Sequence, residues 1–140
     1  MRSFFSFILI VIAAMFFCSS ELIAANTTVT DDDSGWVITL KSGDILSVCL
    51  KTNRAAGNTW VIDNYDDDLL SLTNTFYTPS YNPRPSYDGI TTFMFTALNT
   101  SCTTDISIDY KGPNTQDIRD FSMTVRVKDR WEAGHDFEEP

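Results

Sequence analysis

The feature that most constrains the fold of this chain is the spacing of its apolar residues, which recur at every second position. The clearest case is the segment 121–127, where Phe, Met, Val and Val alternate with polar side chains. A period of two places apolar side chains on one face of a strand, whereas a helix needs a period of 3.6. Similar runs occur at 36–40, 46–50, 93–97 and 106–110, and apolar segments without regular alternation occur at 60–62 and 69–75. Seven short strands separated by turn residues predict an all-β fold, an immunoglobulin-like β-sandwich with Greek-key connections.

The first 25 residues are expected to lie outside this domain. Arg2 gives a basic start, and the apolar run that follows is succeeded by the small residues Ala24 and Ala25. A membrane-spanning helix would usually need about 20 apolar residues, so the shorter run predicts a cleaved signal peptide and a secreted or endolysosomal protein. Cleavage is expected after Ala24 or Ala25, with Ser20 as an alternative.

The remainder of the chain is divided by its composition. Residues 26–35 are predicted to form a flexible polar leader, 36–129 the β-sandwich domain, and 130–140 a loose acidic tail. Acceptor triplets for N-glycosylation begin at Asn26 and Asn99, and both are relevant if the secretory system is eukaryotic.

Charge and histidine content argue against nucleic-acid binding and against catalysis. Ten basic residues against nineteen acidic ones give a net charge of −9, which repels a phosphate backbone. The one histidine, His135, lies five residues from the end of the sequence, far from any core position that a catalytic triad or zinc site would need. The aspartate runs 31–33 and 66–68 lack the ligand spacing of a calcium loop. We therefore predict no enzymatic activity, no metal and no cofactor.

Removal of the signal peptide would leave two cysteines, Cys49 and Cys102. They fall on strands that face each other in an immunoglobulin-like sandwich, with Trp60 on the strand between them in sequence. A disulfide here would contribute about 4 kcal/mol. However, Cys49 alternates with Val48 and Leu50 and so shares the polar face of its strand. The sequence leaves a disulfide and two separate thiols equally open.

Function in a β-sandwich usually resides in its loops, and three loops here are unusual in composition. The second, 77–89, is rich in proline and tyrosine and is predicted to be an ordered loop. The candidate binding residues are Asn53, Arg54, Ala55, Ala56 and Gly57 in the first loop, Tyr81, Arg84, Tyr87 and Gly89 in the second, and Lys111, Gly112, Pro113 and Asn114 in the third.

These loops and their flanking strands resemble the chagasin family of cysteine protease inhibitors. Asn53, Gly57 and Trp60 have the spacing of the family's first-loop motif, and Gly43 and Asp44 match a Gly-acidic pair upstream. Further matches over residues 36–129 are the aromatic-proline segment 76–79, Tyr110, Pro113 and Phe121.

Three departures from the family pattern affect the loops. Residues 54–56 are Arg-Ala-Ala where the family has Pro-Thr-Thr, and Gly89 is the single glycine of the second loop. Gly112 and Asn114 replace the Arg and the Trp of the third loop, residue types that often dominate binding energy. The candidates to replace the lost anchor are Tyr81, Arg84, Tyr87 and Arg54.

The resemblance implies a reversible, competitive inhibitor of papain-like cysteine proteases of the cathepsin L type. Such a protein would act as a monomer, without a cofactor, by inserting the three loops into the active-site cleft. The alternative is a diverged secreted module that binds another extracellular protein or a carbohydrate through the same loops.

Overall fold

A computed structural model describes residues 24–98 and 100–129 as eight strands and one short 3-10 helix, Asp31–Asp33. The strands are β1 Asn26–Thr30, β2 Val37–Lys41, β3 Ile45–Thr52, β4 Thr59–Asn64, β5 Leu70–Arg84, β6 Tyr87–Ala97, β7 Cys102–Lys111 and β8 Asp117–Lys128. The predicted signal peptide up to residue 23, Asn99, His135 and the acidic tail lie outside the described residues. Within those residues, no helix is long and apolar enough to cross a membrane.

The strands form two four-stranded sheets packed as a sandwich. Sheet A has the order β1-β3-β6-β5, and sheet B has the order β2-β8-β7-β4. β1 runs parallel to β3 and β2 runs parallel to β8, while the other neighbours are antiparallel. The prediction of an all-β, immunoglobulin-like sandwich is confirmed.

The core lies between the sheets and is filled by the residues that the alternation assigned to it. The alternate apolar side chains of 46–50 in β3, 93–97 in β6, 106–110 in β7 and 121–127 in β8 are buried, which is the pattern of strands that have one face in the core and one in water. The buried set includes Leu46, Val48, Leu50, Phe93, Phe95, Ile106, Ile108, Phe121, Met123, Val125 and Val127. Trp60 on β4 belongs to the same cluster.

The segment predicted as a flexible leader instead contains β1, which raises the strand count from seven to eight. β1 pairs with the free edge of β3, and Val29 lies opposite Val48 with 4% of its surface exposed. The Asp31 carboxylate then accepts the Lys51 N–H at 2.9 Å. Four of the five residues of β1 are polar, so the sequence pattern did not distinguish a strand from a solvated leader.

The second loop also differs from its prediction, because most of it is a long β-hairpin. β5 continues through 78–84. It pairs regularly with β6 up to Pro79, which lies opposite Gly89. After a register irregularity, pairing resumes at Arg84, which lies opposite Tyr87. β5 is the edge strand of sheet A. Proline lacks an N–H donor but is tolerated on an edge strand, which explains why a proline-rich segment extends the sheet.

The two cysteines are separate thiols. Cys49 on β3 in sheet A lies beside the Thr92 hydroxyl, which donates to its Sγ at 3.6 Å, and Cys102 is exposed at the start of β7 in sheet B. Of the two alternatives left open by the sequence, the structure has the one without a disulfide.

Truncation of Val29 tests whether β1 is part of the folded unit. We expect Val29→Ala to lower the free energy of unfolding by about 2 kcal/mol, because two buried methyl groups are lost and a small cavity remains. The matched control Thr28→Ala, on the exposed side of the same strand, should change it by less than about 0.5 kcal/mol. Urea unfolding measures both, and equal, negligible effects would show that the segment is a leader.

Candidate functional site

The three loops that the sequence singled out converge at one end of the sandwich. The end of β3 lies beside the start of β6, with Thr52 opposite Gly89. In sheet B, the start of β4 lies beside the end of β7, with Thr59 opposite Lys111. Loop 1 (53–58) therefore passes from sheet A to sheet B between the tip of the β5–β6 hairpin and loop 3 (112–116). We call this end of the molecule the loop end.

Loop 1 is held by hydrogen bonds within itself. The Asn53 side-chain oxygen accepts the Ala56 N–H at 3.2 Å, and the Asn53 carbonyl accepts the Asn58 N–H at 3.1 Å. The Gly57 N–H donates to the Arg54 carbonyl at 2.9 Å, and Gly57 has φ of +81°. That left-handed conformation favours glycine, so Gly57 closes the turn.

The packed rings of Trp60 and Tyr110 connect loop 1 to the core. The Tyr110 hydroxyl accepts the Asn53 N–H at 2.7 Å, and the Tyr110 ring lies 4.6 Å from the Trp60 ring. The Trp60 indole N–H donates to the Lys51 carbonyl at 3.0 Å, and the Arg119 guanidinium covers the Tyr110 ring at 4.9 Å. Trp60 and Tyr110 are buried, so they join the loop to the core rather than contact a partner.

Asp88, which the sequence analysis did not single out, fixes the exposed part of loop 1. Its two carboxylate oxygens accept the backbone N–H groups of Arg54 at 3.0 Å and Ala55 at 2.7 Å. The Tyr77 hydroxyl donates to the same carboxylate at 2.6 Å. One side chain of β6 thus accepts hydrogen bonds from two consecutive N–H groups of loop 1. No local sequence signal marks this role, because Asp-Gly is typical of any turn.

Gly89 makes room for this arrangement. A side chain at Gly89 would overlap the Tyr77 phenol and the Thr78 carbonyl, so the absence of one lets Tyr77 lie across β6 and reach Asp88. The Arg54 guanidinium also packs on the Tyr77 side chain, 4.0 Å from the centre of the Tyr77 ring. Gly89 is therefore buried, and its lack of a side chain leaves the space that Tyr77 occupies.

Hydrogen bonding controls the ionisation of Asp88. The Tyr77 hydroxyl and then the Arg54 N–H stabilise the charged carboxylate and hold the pKa of Asp88 below its usual value of 3.8. The same bond raises the pKa of Tyr77, because the phenol donates to a negative acceptor. Asp88 therefore stays ionised in mildly acidic surroundings.

Loop 3 is a tight turn that packs against loop 1. The Gly112 N–H donates to the Gln116 carbonyl at 2.9 Å, and Thr115 has φ of +58°. A Cβ placed on Gly57 would lie 3.0 Å from Cγ of Pro113, which puts the two loops in contact. Lys111 pairs with Asp117 at 2.8 Å, and this bond raises the pKa of Lys111.

The hairpin tip carries the most exposed large side chains of the loop end. Tyr81 is fully exposed and Arg84 is exposed, whereas Tyr87 is half-buried with the Lys51 ammonium 5.3 Å from its ring centre. The Asn53 side-chain amide donates to the Pro85 carbonyl at 3.1 Å, which links the tip to loop 1.

The predicted site residues thus fall into two groups. Those with exposed surface are Arg54, Ala55, Ala56, Gly57, Tyr81, Arg84, Pro113 and Asn114. Those that support the loops are Asn53, Tyr87, Gly89, Lys111 and Gly112.

An acidic turn lies at the opposite end, between β4 and β5. Asp66, Asp67 and Asp68 place one carboxylate oxygen each within 4.8 Å of one another. The Asp66 carboxylate accepts the Asp68 N–H at 2.9 Å, and the Asp66 carbonyl accepts the Leu69 N–H at 3.1 Å. The side chain and the carbonyl of Asp66 thus stabilise this turn.

Comparison with known proteins gives a family match and several structural matches. Residues 39–127 match the model described as Chagasin family peptidase inhibitor. A cysteine protease inhibitor from Entamoeba histolytica superimposes with a TM-score of 0.64 at 21% identity, over 75% of this chain and 97% of that one. Amebosin superimposes with a TM-score of 0.60 at 25% identity, over 75% of this chain and 100% of that one. PbICP-C in complex with falcipain-2 aligns weakly, with a TM-score of 0.41 at 14% identity over 76% and 91%. No curated protein sequence matches the chain.

The bonds at Asp88 predict how loop 1 responds to acid. Because the folded pKa is lowered, this carboxylate stabilises the fold above the unfolded value near 3.8, and its contribution is lost only as pH falls through the folded pKa. The amide proton shifts of Arg54 and Ala55 should therefore titrate with a midpoint below 3.8. NMR titration measures that midpoint.

Two tyrosine variants provide the comparison for this titration. Tyr77→Phe removes the strongest bond to the carboxylate and should move the midpoint up towards 3.8. Tyr81→Phe, which alters a fully exposed phenol, should leave it unchanged. A midpoint at or above 3.8 in the wild type would contradict the role assigned to Asp88.

Proposed function

The chain belongs to the chagasin family of peptidase inhibitors, and from this premise we propose that it is a reversible, competitive inhibitor of papain-like cysteine proteases. The family is one of inhibitors and not of enzymes, in agreement with the absence of activity expected from the sequence. The structurally similar protein from Entamoeba histolytica is described as a cysteine protease inhibitor, which supports the same class of target here.

The observation that carries the proposal is the fixed conformation of loop 1. Its exposed segment, 54–57, is held from the hairpin by Asp88, from the core by Tyr110 and from within by Asn53. A loop that is ordered before binding loses little conformational entropy when it enters a cleft. Occlusion by a rigid segment is therefore the mechanism that this arrangement favours.

Inhibition would proceed by exclusion of substrate, without chemistry on the inhibitor. The small side chains of Ala55 and Ala56 would let loop 1 enter a narrow cleft and cover the catalytic cysteine. The hairpin tip and loop 3 would contact the two walls. Loop 3 presents Pro113 and Asn114, so we assign the aromatic anchor to Tyr81 on the hairpin, where its ring is fully exposed.

We further propose that the protein acts as a monomer in a secreted or endolysosomal setting, after removal of its signal peptide. Ala25 belongs with the folded domain, since its N–H donates to Asp44 at 3.1 Å and its carbonyl accepts the Ile45 N–H at 2.9 Å. Cleavage after Ala24 would keep both groups in place, and cleavage after Ala25 would remove them. The mature chain should therefore begin at Ala25.

Titration of a cathepsin L type protease with the chain that begins at Ala25 tests the proposed function. We expect a stoichiometric, reversible loss of activity on a fluorogenic peptide, with competitive kinetics. The absence of inhibition of several papain-like proteases at micromolar concentration would overturn the proposal. The function would then be that of a module for another extracellular protein or a carbohydrate.

The variant Tyr81→Ala tests the assignment of the anchor. Loss of a buried aromatic contact in the complex should raise the inhibition constant by at least about tenfold, with no loss of stability because the ring is exposed in the free protein. Trp36→Ala removes another exposed aromatic side chain outside the three loops and should have no effect. Equal inhibition constants for the two variants would show that the hairpin tip is not the anchor.

A further inference from the structure

The loop end differs in charge from the rest of the molecule. Nineteen acidic residues give the chain a net charge of −9. None of them lies in loop 1, in the hairpin tip 79–87 or in loop 3, and the charged side chains in these three segments are Arg54 and Arg84. Asp88 borders these segments with its carboxylate bonded to the backbone of loop 1, so the charged side chains that the segments themselves present to a cleft are positive.

Three acidic side chains near the loop end are bonded to groups of the protein itself. Asp88 accepts the two N–H groups of loop 1, Asp117 pairs with Lys111 at 2.8 Å, and Asp31 pairs with Arg119 at 3.3 Å. Within residues 24–98 and 100–129, Arg84 forms no salt bridge. The guanidinium of Arg84 is therefore available to a carboxylate of a partner.

Carboxylates crowd on the part of sheet B that adjoins loop 3. Asp109 and Asp120 lie opposite each other on β7 and β8. Partial burial, followed by repulsion from Asp63 and Asp117, raises the pKa of Asp109. At the loop end, carboxylates therefore crowd on the sheet B side, and the guanidiniums of Arg54 and Arg84 lie on loop 1 and on the hairpin of sheet A.

A cation–π contact holds the side chain of Arg54 in place. The Arg54 guanidinium is held over the Tyr77 ring at 4.0 Å, beside the first residues of loop 1 that would meet the partner. Arg84 stands on the hairpin next to the irregularity that follows Pro79. If Arg54 entered a neutral or basic cleft, its guanidinium would lose water without gaining a carboxylate partner, which costs free energy.

We propose that this inhibitor selects papain-like proteases whose cleft carries carboxylate side chains on the wall that faces the β5–β6 hairpin. Arg84 pairs with those carboxylates at the rim, and Arg54 pairs with them closer to the cleft floor. This inference rests on the proposed function and adds to it the chemical class of the target surface. The anionic body would at the same time disfavour approach in any other orientation.

Charge reversal at the tip tests this selection. The probe is a papain-like protease with acidic residues on one cleft wall, together with a variant of it in which those residues are amides. Arg84→Glu should slow association with the acidic protease by about tenfold at low ionic strength, and high salt should reduce the difference. Arg84→Gln should give an intermediate rate.

The control is Arg126→Glu, which makes the same charge change at an exposed position on β8, remote from the loops. It should alter the association rate by less than about twofold. With the amide variant of the protease, Arg84→Glu and wild type should associate at similar rates. A salt-dependent loss that is specific to Arg84 and to the acidic wall would establish the proposal.

The failures of the two proposals are distinguishable. If the wild-type chain inhibits both proteases but Arg84→Glu and Arg126→Glu behave alike, the charge selection is wrong and the inhibitory function stands. If the effect of Arg84→Glu is the same on both proteases, the cleft carboxylates are not its partners. If the wild-type chain inhibits neither protease, both proposals fall together.

Discussion

A loop that leaves one sheet and enters the other must find partners for its backbone N–H groups, and the remainder of the loop end is arranged around this requirement. Unpaired donors in a partly buried loop are costly. Asp88 accepts two of them, the Tyr110 hydroxyl accepts a third, and the Asn53 side chain accepts a fourth. Asp88 reaches loop 1 from sheet A because it precedes Gly89, which lies opposite Thr52 at the end of β3. Tyr110 reaches loop 1 from sheet B, near the end of β7.

The parts of the fold that could be predicted are those in which burial alone determines the pattern. The buried face of β8 and that of β3, with Val48 and Leu50, follow directly from alternation in the sequence. β1 could not be predicted because one buried side chain, Val29, is too little for a periodic signal. The extension of β5 was missed because its prolines indicate a loop, and an edge strand needs no donor on its outer side.

The same distinction applies to the site. Asn53 and Gly57 are recognisable because they act through short-range turn geometry, which is encoded in adjacent residues. Asp88 acts across 33 positions on Ala55, and nothing in its neighbourhood in sequence records that partner. Gly89 was identified as a candidate contact, but its function is to leave space for Tyr77. Close approach between strands is a tertiary property and is therefore invisible in a single sequence.

The edge position of β5 has a consequence for behaviour at high concentration. An extended hairpin that projects from a sandwich offers unpaired backbone groups to which a strand of another molecule could add. Pro79 and Pro83 remove two N–H donors from this edge, and the irregularity between Pro79 and Arg84 interrupts the regular ladder. The residues that shape the tip thereby also protect it from intermolecular strand pairing. The exposed hairpin therefore offers fewer donors to an added strand than a regular edge strand would.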